Sequence, residues 1–235
     1  MVNLLVLFGG KSGEHEVSLL SARSVVAHLD PGKYNVVQVL ITHTGAWVLA
    51  SDGTTPVALL PSPTGGTLYT IRATQHGQVL EILAKIDVVF PVLHGSFGED
   101  GTLEGLLELA DLAYVGAGVL GSAVGMDKAV FKEVMRAHQI PVVESILFRR
   151  SEIQENIEDV LARVAAFHDF PIFVKPANLG SSVGVSRCTS QSDLVEGLLE
   201  AARFDRRILV ERGVNAREIE VSVVGNEHPM ASVPG

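Results

Sequence analysis

The chain has 235 residues, 47% of them hydrophobic, 19% charged and 23 of them glycine, so it is long enough to bury one large or two modest cores and is neither a stapled miniprotein nor a disordered segment. Its 18 Lys and Arg against 27 Asp and Glu leave a net charge of -9, which argues against a nucleic-acid or anionic-membrane surface. The single cysteine, Cys188, cannot close an internal disulfide and predicts a reducing, cytoplasmic setting.

Residues 3–8 form an almost unbroken apolar run ended by Gly9 and Gly10, the pattern of a strand buried on both faces of a parallel sheet. Val17, Leu20, Val25 and Leu29 keep helical spacing until Asp30-Pro31-Gly32, and Tyr34–Ile41 completes a strand-helix-strand unit. Trp47–Ala50 reads as a short strand, and residues 51–80, rich in Pro, Gly and Thr, read as loops and edge hairpins. Ile86–Val92 is a second apolar strand, followed by a Gly-rich loop, His94–Gly101, and a helix over Thr102–Ala110. The glycines of 116–125 predict a hinge between domains.

Beyond that point the pattern predicts an amphipathic helix over Asp127–His138 and a strand over Ile140–Phe148. A capping box, Ser151-Glu152-Ile153-Gln154, opens a helix to about Phe167. A strand over Pro171–Pro176, a Gly/Ser loop, a strand over Val183–Arg187 and a helix over Ser192–Ala202 follow. Strands Arg207–Glu211 and Arg217–Val224 close the chain, with a turn at Gly225-Asn226. Residues 1–120 hold 5 of the Lys and Arg and residues 121–235 the other 13, so cations concentrate in the second part.

Gly9-Gly10-Lys11-Ser12 follows a strand as a P-loop does, but that motif needs a glycine five residues before Gly10, where Leu5 stands. The strand-to-helix turn is still where open α/β sheets bind ligands. Glu14, His15 and Glu16 lie in it, and a ligand contact or a helix N-terminus favoured by the dipole accounts equally well for them. Residues 116–121 match the dinucleotide fingerprint letter for letter, which makes a nicotinamide- or flavin-dependent oxidoreductase the distant alternative. That fingerprint opens a helix directly, however, whereas Asp127 reads as a later helix start. In His94–Gly101 the first turn of the following helix can hold an anion, but one His and two acids in a Gly loop lack a metal-ligand spacing.

The strongest local feature is Phe173–Gly184. A buried strand delivers Lys175, Pro176 ends it, and a loop of Gly and Ser leads to the next strand. Close backbone N–H groups, hydroxyl donors and a lysine are what a lid over phosphates requires.

Taken together, the segments Phe8–Ser18, His94–Gly105, Met126-Asp127-Lys128 and Lys175–Gly184 resemble those of the D-alanine-D-alanine ligases, ATP-grasp enzymes of bacterial cell-wall synthesis. The likeness spans essentially the whole chain. It implies an α/β fold: a Rossmann-like N-terminal substrate domain over 1–120, a central ATP-grasp subdomain over 121–206, and the start of a C-terminal ATP-grasp subdomain over 207–235. It further implies ligation of two D-alanines through an acyl phosphate, with ATP as co-substrate, in a cytoplasmic homodimer. A D-alanine-D-lactate or D-alanine-D-serine ligase is the alternative within the family.

By position, Glu14 resembles the carboxylate that holds the ammonium of the first D-alanine, and Ser181 the hydroxyl bonded into the same network, both at the catalytic site. Val17, Ser18 and His94 resemble the lining of the substrate pocket. Lys128 and Lys175 match the lysines on the ATP phosphates, with Ser182 in the loop above them. Phe173 would pack on the base, Glu211 and Val214 would contact adenine, and Glu218 the ribose. Two Mg2+ or Mn2+ ions are implied, but their ligands in the family, with a loop tyrosine and an oxyanion-stabilising arginine, follow the position of Gly235. No metal ligand is therefore expected within residues 1–235, and this polypeptide alone is expected to bind nucleotide weakly and catalyse nothing.

Overall fold

The structure, a computed structural model, describes residues 1–61 and 65–235. At the centre of its first lobe is β1 (Val2–Gly9), in a sheet ordered β3-β2-β1-β7-β8 with β2 (Tyr34–Ile41), β3 (Trp47–Leu49), β7 (Val88–Leu93) and β8 (Ala113–Tyr114). β1 runs parallel to both β2 and β7, and only β3 is antiparallel to its neighbour. The apolar run is unbroken because both faces are covered. Leu5 and Leu7 pack with Leu103 and Leu107 of α2 (Thr102–Leu109), whereas Leu4, Val6 and Phe8 pack with Ala22 of α1 (His15–His28).

The buried face of α1 differs from the spacing read in the sequence. Val17 and Leu20 are 52% and 63% exposed, while His15, Ser18 and Ala22 are buried. Ser18 decides the rotation of the helix: its hydroxyl accepts from the N–H of Gly9 at 2.7 Å and donates to the carbonyl of Val92, stitching α1 to β1 and β7. Buried backbone groups at two strand ends outweigh two apolar side chains that a neighbouring surface does not reach.

Residues 51–85 form more sheet than expected. β4 (Val57–Leu60), β5 (Thr67–Thr74) and β6 (Gly77–Lys85) make an antiparallel sheet whose Val57, Leu59 and Leu68 join the α2-side core. The part of the loop expectation that falls on 62–64 lies outside the described residues.

The glycine-rich hinge is helical. Gly118 is the N-cap of α3 (Val119–Met126), so these glycines do open a helix directly, contrary to the ground on which the fingerprint was set aside. Asp127 then ends α3 and caps α4 (Lys128–Ala137), accepting from the N–H groups of Ala129 and Val130 at 3.1 and 3.0 Å.

The second lobe is an antiparallel sheet ordered β11-β10-β12-β9, from β9 (Ser145–Arg149), β10 (Ile172–Pro176), β11 (Ser186–Cys188) and β12 (Arg207–Arg212). Period-two alternation gives it two unlike faces. Phe148, Ile172, Val174, Ile208 and Val210 pack under α5 (Arg150–Glu155), α6 (Ile157–Phe167) and α7 (Gln191–Phe204). Phe173, Lys175, Leu209 and Glu211 occupy the opposite face, where α4 adds Ala129 against Leu209.

Several boundaries move. The single helix expected to Phe167 is broken at Asn156, whose side chain accepts from the N–H of Asp159 at 3.2 Å and starts α6 afresh. The cap of α5 sits earlier than the Ser151 box: Glu152 accepts from the N–H of Arg149 at 2.7 Å. β9 and β11 both begin later than expected, at Ser145 and Ser186. β12 lies between β10 and β9 and pairs with both. The strand expected over Arg217–Val224 shrinks to β13 (Val223–Val224), paired with β14 (Met230–Ala231). Residues 214–222 are exposed and join no strand ladder among the described residues, although near their end the carbonyls of Ser222 and Glu220 accept from the N–H groups of Ser232 and Gly235 at 2.8 and 3.0 Å.

Candidate active site

The carboxyl ends of β1 and β7 place two loops side by side. Ser12 fastens them, its hydroxyl donating to the carbonyl of His94 at 2.7 Å and accepting from the N–H of Glu14 at 3.2 Å. Glu14 stands at the N-cap position of α1 but makes no capping bond; its carboxylate accepts from the hydroxyl of Ser181, 167 residues further along the chain. That contact joins the first lobe to the Gly/Ser loop of the second. Gly95 makes room for it, since a Cβ there would stand 2.4 Å from Oε2 of Glu14. Gly95 donates to Glu99 at 2.6 Å, and Asp100 accepts from the N–H groups of Phe97 and Thr102 at 2.9 and 3.0 Å. Both acids thus brace their own loop, and the N–H of Thr102 at the start of α2 is taken up by Asp100.

The loop Leu179–Gly184 has Ser181 and Ser182 at φ +48 and +57 and Gly184 at +69, a left-handed bend that exposes both hydroxyls. Lys128, on the first turn of α4, donates to the carbonyl of Leu179. Burial, and then the Lys175 cation beside it, holds the Lys128 ammonium below its ordinary pKa. Lys175 pairs with the buried Glu211, whose other oxygen accepts from Lys132 at 2.7 Å. Burial raises the Glu211 carboxyl, but its hydrogen bonds and the charges of Lys132 and Lys175 outweigh that, leaving it below the usual carboxylate range.

Of the residues singled out from sequence, the fold brings Glu14 together with Ser181, Lys128 close to Lys175, and Lys175 onto Glu211. Phe173 faces the same side as Lys175, as the register partner of Glu211. His94 is half-buried with Nε2 3.2 Å from the hydroxyl of Ser21, and Ser18 is fully buried beneath the loops. Val17, Ser182, Val214 and Glu218 are exposed and lie outside these contacts. Sequence reasoning read Asp127 as a helix start but missed Arg207, which holds it, and it missed Lys132 and the part of Ser12 in fastening the two loops. Lys132 had a signal: it lies one helical turn after Lys128, on the same face.

A family model described as the N-terminus of D-ala D-ala ligase matches residues 3–117, and one described as its C-terminus matches 134–235. The chain belongs to the D-alanine-D-alanine ligase family. It is 46% identical over 233 residues to the D-alanine--D-alanine ligase of Solibacter usitatus and 45% identical over 242 residues to that of Chloroherpeton thalassium, covering 62% and 66% of those proteins and 99% and 98% of itself. Among solved structures it resembles the D-alanine-D-alanine ligase of Coxiella burnetii (TM-score 0.82, 34% identity, 99% of this chain and 67% of that one). It also resembles the VanG D-Ala:D-Ser ligase of Enterococcus faecalis (TM-score 0.84, 30% identity, 99% and 68%). The chain therefore spans about two thirds of the length of these relatives. The ATP-grasp fold of the family accounts for the two-faced sheet of the second lobe, and membership of a ligase family removes the oxidoreductase alternative that the glycine run of 116–121 had raised. No helix among the described residues is long and apolar enough to cross a membrane.

Proposed function

We propose that this chain supplies the first-substrate site and the nucleotide-phosphate site of an ATP-dependent ligase that joins two D-alanines. The observation that carries the reading is the Glu14–Ser181 hydrogen bond, which brings an anionic substrate loop under a Gly/Ser loop flanked by Lys128 and Lys175. A free carboxylate is a poor electrophile. Transfer of the γ-phosphoryl group of ATP to a carboxylate oxygen of the first D-alanine releases ADP and gives an acyl phosphate. The amine of the second D-alanine attacks its carbonyl carbon, the C–O bond to phosphate breaks, and dipeptide, phosphate and a proton leave.

In this scheme Glu14 receives the ammonium of the first D-alanine, and Ser181 fixes the orientation of its carboxylate. Lys128 and Lys175 neutralise the nucleotide phosphates, and the hydroxyl of Ser182 joins the backbone N–H groups of the loop above them. Phe173 supplies an apolar face for the base, with Glu211, Val214 and Glu218 further along the nucleotide. Val17 and His94 line the amino-acid side, over a floor held by Ser18. Lys132 and Lys175 share Glu211, so one lysine can turn toward a phosphate while the other keeps the carboxylate paired.

The Mg2+ or Mn2+ that the family implies takes oxygen ligands. Near the lysines, both oxygens of Glu211 are held by Lys132 and Lys175, and Asp127 is held by Arg207 and the first turn of α4. The one metal-spaced group among the described residues, His15, Glu16 and His43, has its imidazoles stacked at 3.7 Å, so their nitrogen lone pairs do not converge. These residues do not fit the ion, and no step here runs through it.

Two measurements test the roles. Glu14→Gln should weaken D-alanine binding by about tenfold, through loss of a charge-assisted hydrogen bond, while ATP affinity stays within about twofold. Equal loss for both ligands in calorimetry would place Glu14 outside the amino-acid site. Lys128 gives a pH test. Its depressed pKa makes it lose its proton at a lower pH than an ordinary lysine, and a phosphate beside it restores the charged form. ATP binding should then take up protons, and affinity should fall as pH rises through the free-state pKa. Calorimetry in two buffers of different ionisation enthalpy reads the proton count, and zero uptake or release removes Lys128 from the phosphates. The acceptor is identified by product analysis with D-alanine, D-serine and D-lactate in a chain extended to the length of its relatives.

A further inference from the structure

At the edge of the second lobe, the end of β9 and the start of β12 bring four arginines together. Arg149 and Arg207 are register partners across the two strands, and the N–H of Arg150 donates to the carbonyl of Arg206 at 2.8 Å. With Ser151 and Gln154 they line an open cavity of about 670 Å3, within the range of roughly 300–1,000 Å3 that small-molecule sites occupy.

Like charges directly opposite on a sheet repel, and the protein offsets them only in part. Arg207 pairs with Asp127. The other carboxylates nearby are already engaged. Glu152 accepts from Arg163 and from the N–H of Arg149, each at 2.7 Å. Asp205 accepts from the N–H groups of Asn178 and Arg207 at 2.8 and 3.1 Å. Among the described residues Arg149, Arg150 and Arg206 have no carboxylate partner. The Nε of Arg150 is moreover buried with no hydrogen-bond partner, a donor stripped of water and given nothing in return. Such an arrangement is unusual in a chain of net charge -9.

We propose that this arginine cavity binds a small polyphosphorylated anion, at a site distinct from Lys128 and Lys175. Guanidinium forks suit phosphate because two parallel N–H groups meet two oxygens, and adjacent phosphates would let one ligand span both strands. Ser151 and Gln154 add uncharged donors at the rim.

Calorimetric titration of the whole chain with inorganic pyrophosphate and tripolyphosphate tests this. Binding should persist in Lys175→Ala and fall about tenfold or more in the double variant Arg149→Ala/Arg206→Ala, whose two side chains are exposed. Arg149→Lys/Arg206→Lys keeps the charge but loses the forks, so it should fall in between and serves if the alanine variant melts early. The proposal is overturned by affinity unchanged in both arginine variants, by loss in Lys175→Ala alone, or by no pyrophosphate binding at millimolar concentration. A poly-glutamate peptide binding more tightly than either phosphate would also overturn it, in favour of an acidic protein partner.

Discussion

Lys175→Ala should weaken ATP binding by roughly 10- to 100-fold, about 1.5–3 kcal/mol, the range for removing a hydrogen bond between charged groups. β10 carries this lysine to the face of the sheet opposite the helical core, where it shares Glu211 with Lys132. Removing it leaves Glu211 one partner, and Lys132 is itself anchored, donating to the carbonyl of Val143 at 2.9 Å. The carboxylate is therefore not abandoned in the protein interior, and the fold should survive. What is lost is the cation that a phosphate can recruit. Titration calorimetry of the variant, with its thermal melt recorded alongside, gives the answer, and unchanged ATP affinity would take Lys175 out of the phosphate site.

Phe148→Ala should destabilise the second lobe by about 3–5 kcal/mol, the range for large aromatic truncations in a packed core. Phe148 is fully buried in the cluster formed by β9, β10 and β12 under α5–α7. It also carries the Arg163 guanidinium 4.6 Å from its ring centroid. Arg163 in turn holds Glu152, which caps α5, so truncation opens a cavity and loosens a helix start. The first lobe has its own cores around Leu5, Leu7 and Val6, with none of these residues. Urea unfolding should show an early transition displaced to lower denaturant and a later one unmoved. A shift in the early transition worth less than about 1 kcal/mol contradicts the packing described. The same core encloses Cys188, whose thiol burial pushes up to about 11.

Strands were the most legible part of the sequence. β1, β2 and β10 declare themselves because apolar runs bounded by Gly, Pro or Asp leave few other conformations. The helix read over Ser192–Ala202 is α7, started one residue earlier than read by a capping box in which Asp193 accepts from the N–H of Ser190 at 3.1 Å. Which side of α1 is buried was not legible. Val17 and Leu20 carry the apolar spacing, yet Ser18 is the residue that the strand ends bind. The break at Asn156 was hidden because Asn can interrupt a helix or cap one, and only the packing of α6 on its own axis selects the cap.

The candidate site divides in the same way. Local composition singled out Lys175 and its Gly/Ser loop, since a buried-strand lysine before such a loop has no ordinary structural use. Glu14 remained balanced between helix cap and ligand contact until the fold brought Ser181 to it.

The sequence by itself determined the principal strands and helices, among them β1, β2, β7, β10, β12, α1, α2 and α7, and which lysine and loop are chemically unusual, because these depend on contacts close along the chain. The tertiary structure alone decided that Glu14 meets Ser181, that Lys132 and Lys175 share Glu211, and that four arginines gather at one edge. Those contacts join residues far apart in sequence. Their pairing depends on strand order, helix rotation and register, which no local pattern encodes.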